Sequence, residues 1–201
     1  MVFNAVPLKR YLPYFEGVAP LCFRLLLALT FLQSGWYKLT HYHEAVFWFG
    51  NTPWGLGLPW PDLWVSLVSI IEVTGAVALV MGLGVRLAVL PLIVLVLAAI
   101  TGVHWENGWQ WVAEPQAWLA NVRVMESTER LHQARDLLRT YGDYDWLTER
   151  GHFVVFNNGM EQSVIYLSML ISLLFTGGGR YVSLDYWIQH HWGEPRFQLP
   201  R

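Results

Sequence analysis

One cysteine in 201 residues, Cys22, excludes an internal disulfide, a CxxC redox pair and any cysteine-built zinc or iron–sulfur site. Charge is scarce too: 14% of residues are charged, against about 25% in soluble domains. The formal net charge is −2 and no basic block occurs, so nucleic acid is not an expected partner. There is no dinucleotide fingerprint, phosphate-cradling loop or CxxCH haem attachment, and no covalent cofactor is expected. Gly177-Gly178-Gly179 reads as a helix stop followed by a turn. Internal repeats and low-complexity tracts are likewise missing.

What fills the chain is apolar sequence in long blocks, with 54% hydrophobic residues and twelve tryptophans that mostly flank those blocks. A bilayer core of roughly 30 Å needs about 20 apolar residues as a helix. Four segments meet or approach that length, at about 19–39, 62–83, 85–103 and 159–176. The fourth is the shortest. Only Gly82-Leu83-Gly84 separates the second from the third, which predicts a tight antiparallel hairpin. Lys9 and Arg10 precede the first segment, but it is too long for a signal-peptide core and contains Arg24, so it reads as a retained span. The expected fold is all-α, an integral membrane four-helix bundle forming one domain over residues 1–201. Its lipid bilayer is the first expected partner.

Two connections carry information. The stretch from Tyr42 to Pro61, rich in Pro, Gly and Trp, reads as an interfacial or shallow re-entrant loop. The long insertion 104–158 is the main polar part, and Leu131, Ala134, Leu138 and Tyr141 predict a surface helix over 127–141 stopped by Gly142. Lys9, Arg10, Arg86, Arg180 and Arg196 collect on the side of the termini. The Lys/Arg rule therefore predicts cytoplasmic termini and an external long loop.

Polar groups at membrane depth are the candidate functional residues. Glu72 sits inside the second apolar segment, where an ionised side chain costs several kcal/mol unless it faces the bundle and finds a partner. Matching antiparallel depths brings it level with residues 29–31 and within reach of Arg24, the expected partner. Arg24, Ala28, Phe31, Gly35 and Lys38 form one inward stripe, opposed by Ser69, Glu72 and Ala76, with Gly75 and Gly82 allowing close approach. Glu72 reads either as structural glue or as a proton-handling carboxylate. Farther out, Lys38, His104, Asn107, Asn157, Asn158 and Glu161 lie at helix ends. There they read as caps and interface anchors, or as a set able to take protons from a quinol headgroup or hold a metal. His41 and His43, with Glu44, are weak metal candidates, since residues two apart share a face only in an extended segment.

RLLLALTFLQSGWYKL, the EVTGAVALVMGLGVRLA hairpin, HWENGW and the late GGGRYVSLD together resemble the DoxX-like membrane proteins. The resemblance implies a four-helix bundle in the bacterial inner membrane, a link to quinone-coupled oxidation of sulfur compounds, and membership of redox complexes. Arg24, Lys38, Glu72, Arg86, His104, Asn107 and Glu161 would be its recurring polar residues. On that basis Glu72, His104 and Glu161 are expected to handle protons, while Arg24, Lys38 and Asn107 contact a quinone or join the polar network. The long insertion, with TERGHFVVFNNGMEQ before the last span, departs from the short family pattern. Two functions follow. One is a quinone-interacting subunit of a membrane redox system, with partner subunits or copies of itself. The other is a non-catalytic structural or accessory membrane subunit for production or export of a metal-binding peptide.

Overall fold

The computed structural model describes residues 15–192; Lys9, Arg10 and Arg196 lie outside that range. Eight α-helices are described: α1 (Val18–Thr40), α2 (Tyr42–Gly50), α3 (Pro61–Met81), α4 (Val85–Ala99), α5 (Val122–Tyr141), α6 (Tyr144–Thr148), α7 (Glu161–Thr176) and α8 (Leu184–Trp192). A π-helical turn over Ile100–His104 and a 3-10 turn over Trp105–Asn107 prolong α4. Among the described residues there is no strand, only an isolated antiparallel bridge between Val112 and Phe156. Three helices, Val18–Thr40, Pro61–Met81 and Val85–Asn107, are long and apolar enough to cross a membrane. The fourth apolar helix, α7, has 16 residues, about 24 Å of rise against a core of roughly 30 Å. It starts at Glu161 and not at Gly159, because the backbone N–H groups of Gly159, Met160 and Glu161 bond to the 108–110 loop.

The chain divides into two units: Met1–Leu95 with Tyr166–Arg201, and Val96–Ile165. In the first, α1 packs along α3. Pro20, Arg24, Leu27, Ala28, Phe31 and Gly35 are buried on α1, and Val65, Ser69, Glu72, Gly75, Ala76 and Leu79 on α3. Both sets step by three or four residues, as the inward stripes required. Lipid tails are as apolar as leucine, so close packing and polar contacts must hold such helices together. Gly35 shows how close they come: a Cβ there would lie 2.8 Å from Val73 Cγ2 and 3.0 Å from Glu72 Cβ. The hairpin turns at Gly82, whose φ of +68° is left-handed, a conformation glycine adopts without penalty.

A buried arginine and an aspartate fasten the ends of this hairpin. Arg24, 1% exposed, donates to the carbonyls of Leu79 at 2.6 Å, Gly178 at 2.7 Å, Val80 at 2.9 Å and Val182 at 3.1 Å. Two of those carbonyls end α3, where four backbone acceptors lack helical partners and the dipole favours a cation. Asp185 does the reverse for α4, accepting from Gly84 N at 2.7 Å and Val85 N at 3.0 Å. The GGGRYVSLD segment is thereby tied to the hairpin from both sides.

The stretch after α1 differs from the re-entrant loop expected of it. Its first half forms α2, since YHEAVFWFG contains no Pro and no Gly before its last residue. The rest is a hydrogen-bonded loop in which Leu56 N and Leu58 N donate to the carbonyls of Trp48 and Phe49.

In the second unit, HWENGW and FNNGMEQ pair through their backbones. Met160 N donates to Gly108 O and Glu161 N to Trp109 O, and just beyond HWENGW Asn157 N and Asn158 N donate to Trp111 O. The surface helix α5 begins at Val122, ahead of the expected Ser127, because Asn121 Oδ1 accepts from Val124 N as an N-cap. Its end at Tyr141, followed by Gly142, is where the sequence put it.

Candidate functional site

Ser34 and Lys38 are one helical turn apart on α1, so both side chains reach the same point on α3. That point is Glu72. Lys38 Nζ lies 2.7 Å from Glu72 Oε2 and 3.0 Å from Oε1, and donates to Ser34 Oγ at 2.6 Å. Ser34 Oγ donates in turn to Glu72 Oε1 at 3.2 Å. The three form a closed ring of charge-assisted hydrogen bonds, with the Lys38 and Glu72 side chains 18% and 9% exposed.

The partner of Glu72 is therefore Lys38 and not Arg24. The depth match fails by four to six residues: Glu72 stands level with Gly35, not with residues 29–31. Arg24 lies eleven positions before Gly35, about 16 Å along the axis, and its donors are engaged at the opposite end of the hairpin.

The ring borders a cleft of about 620 Å³, within the size range of small-ligand sites. Thr30, Gln33, Ser34, Tyr37 and Lys38 of α1 line one side, and Glu44, Ala45, Trp48 and Phe49 of α2 the other. Tyr37 Oη reaches Glu44 Oε2 at 3.5 Å, linking the two helices. The cleft thus sets polar side chains of α1 opposite Trp48 and Phe49 of α2, whose rings meet edge to face. Ser34, Trp48 and the helical state of 42–50 were not legible as site features. The i,i+4 pairing of Ser34 with Lys38 was the one signal available for them.

The second unit holds His104, Asn107 and Glu161. His104 Nδ1 lies 2.9 Å from the carbonyl oxygen of Asn158, which also accepts from Asn107 Nδ2 at 3.1 Å. A carbonyl only accepts, so Nδ1 carries the proton in this bond. Glu161 Oε2 accepts from Trp111 N at 3.2 Å, in the first turn of α7. Asn157 is buried and its Nδ2 donates to the carbonyls of Asn107 and Gln110. These side chains hold loop backbone in place.

His41 stacks on Tyr37 with centroids 4.4 Å apart, while His43 meets the edge of Tyr42. Among the described residues, no three His, Cys, Asp or Glu side chains gather in a metal-ligating group. Cys22 is exposed on α1.

No curated protein and no solved structure matches the chain. The DoxX family model matches residues 19–105, a range that contains Arg24, Ser34, Lys38, Glu72 and His104 but stops short of Asn107 and Glu161. Residues 19–105 are a DoxX-like domain, and the chain built on it is an integral membrane protein.

Proposed function

We propose that this protein is a quinone-interacting subunit of a membrane redox system and that the headgroup sits in the α1–α2 cleft against Lys38. The observation that carries the reading is the Lys38–Ser34–Glu72 ring on the border of an amphipathic cleft between apolar helices. A quinone headgroup has two carbonyl oxygens that need donors and a planar ring that needs an apolar face. The Lys38 ammonium and the Gln33 amide supply N–H donors and Trp48 supplies a face, so the residues fit the group. When bound, the quinone supplies the two-electron, two-proton chemistry that no side chain of this protein can perform.

The chain's own residues orient and protonate. Lys38 holds an ammonium at the cleft, pinned by Glu72, so it meets an oxygen ligand without first being ordered. Ser34 accepts from Lys38 and donates to Glu72, a hydroxyl able to pass a proton between them. Glu72 is the internal proton site. In this reading His104, Asn107 and Glu161 enter as anchors of the loop backbone at Trp111 and Asn158, not as headgroup contacts. The orientation that goes with this reading has cytoplasmic termini in a bacterial inner membrane.

The test is solvent extraction of the protein purified in mild detergent, with quinone quantified per chain. Lys38→Met and Trp48→Ala should each lower retention, the first by about tenfold for a lost charge-assisted bond, while His104→Ala should leave it unchanged. Equal retention in wild type, Lys38→Met and Trp48→Ala would overturn the assignment. A protein free of quinone but co-purifying with a stoichiometric partner would favour the accessory-subunit reading.

A further inference from the structure

A second cleft, of about 950 Å³, lies at the other end of the first unit, among Gly84–Leu87 at the start of α4, Thr176–Arg180 after α7, and Ser183–His190 of the last segment. The redox reading makes no use of it. We propose that it binds the phosphate of an anionic phospholipid.

Charge favours an anion. Arg86, Arg180 and His190 line the cleft, and the acid among them, Asp185, is already engaged. Its two oxygens accept from Gly84 N and Val85 N, and it lies close enough to the buried Arg24 to interact with it. Glu16 stands 3.9 Å from Arg180, but both side chains are about half exposed, and such a pair contributes little. Arg86 donates one N–H, to Phe175 O at 3.0 Å, which fixes the guanidinium against Gly177. Four more donors belong to that group. Two guanidinium groups, one of them fixed, suit the oxygens of a phosphate, which a planar fork contacts in pairs.

Position favours a lipid over a free ion. Arg86 is the second residue of a membrane-spanning helix, and Thr176 the last of the short apolar one. Both therefore sit where hydrocarbon gives way to headgroups. Leu87 and Phe175, flanking the cleft, are 76% and 75% exposed, apolar surface of the kind acyl chains cover. Thr176 adds a hydroxyl at the cleft wall. On the α8 side, exposed Leu184, Trp187 and Ile188 continue the apolar border, as an interfacial helix would.

Native mass spectrometry of the full chain, released from nanodiscs of phosphatidylcholine with and without phosphatidylglycerol, tests the proposal. Wild type should carry phosphatidylglycerol preferentially. The Arg86→Gln/Arg180→Gln double variant should bind it on the order of tenfold more weakly, whereas Arg86→Lys should keep most of the binding. Arg130→Gln/Arg139→Gln, which removes the same charge from α5, should bind as wild type. Should the Arg86 change unfold the chain, Arg180→Gln alone carries the measurement, because Arg180, half exposed and in contact with Glu16, Tyr181 and Tyr186, lies outside the membrane-spanning helices. Equal lipid retention in wild type and the cleft variants overturns the proposal, and so does an equal loss in the α5 control. Displacement of the lipid by inorganic phosphate at comparable affinity overturns the lipid assignment.

Discussion

Removing Lys38 should destabilise the α1–α3 pair far more than removing Lys38 and Glu72 together. In the folded protein the Lys38 ammonium is 2.7 Å from Glu72 and 2.6 Å from Ser34, with both charged side chains largely out of solvent. Lys38→Met keeps the stem and discards the charge, leaving an ionised Glu72 with the Ser34 hydroxyl as its remaining partner. Losing one member of a buried pair costs about 3–5 kcal/mol. Glu72→Gln strands the ammonium but keeps an acceptor and a donor, so a smaller cost of about 1–3 kcal/mol is expected. The double variant leaves an apolar side chain beside a neutral amide, and replacing a buried pair in this way is often close to neutral. Its cost should stay near that of Glu72→Gln alone. The coupling in a double-mutant cycle then equals the cost of Lys38→Met alone, about 3–5 kcal/mol in favour of the pair. Denaturant-induced unfolding in mixed micelles, followed by far-UV circular dichroism and tryptophan fluorescence, measures all four corners. Additive losses below about 1 kcal/mol per variant would refute the reasoning, because they would mean that water reaches the ring and screens it.

Two further substitutions probe the contacts that place the ring. Gly35→Ala should cost about 1–3 kcal/mol by overpacking, since its methyl meets Val73 and Glu72 at 3.0 Å or less; a melting temperature equal to wild type would contradict the close approach. Arg24→Gln removes most of four hydrogen bonds to carbonyls. It should cost about 3–5 kcal/mol and raise amide hydrogen exchange across 178–185, whereas unchanged protection there would show that Arg24 is not what ties that segment down.

The membrane character, the three long spans, the hairpin turn at Gly82 and the inward stripes of α1 and α3 were legible because each is a one-dimensional property. Length of apolar run, three- and four-residue spacing and small residues are read along a single helix, and lipid imposes few other solutions. The cap of α5 shows the limit of that approach. Asn121 sits next to no apolar periodicity, so the expected start fell at Ser127, although Gly142 marked the end correctly. Similarly, α2 was hidden by the prolines and glycines that follow it within the same stretch.

By itself the sequence determined that Glu72 had to face inward and find a partner, because a lone carboxylate cannot be left in hydrocarbon. Which cation it meets was decided only in the folded pair. The register of α1 on α3 depends on how closely Gly35 lets the backbones approach, and it sets Glu72 beside Lys38 while Arg24 closes the far end of the hairpin. A shift of four to six residues along α1, about 6–9 Å, separates those two outcomes. Spacing within one helix carries no information about that shift, and contact between two helices does.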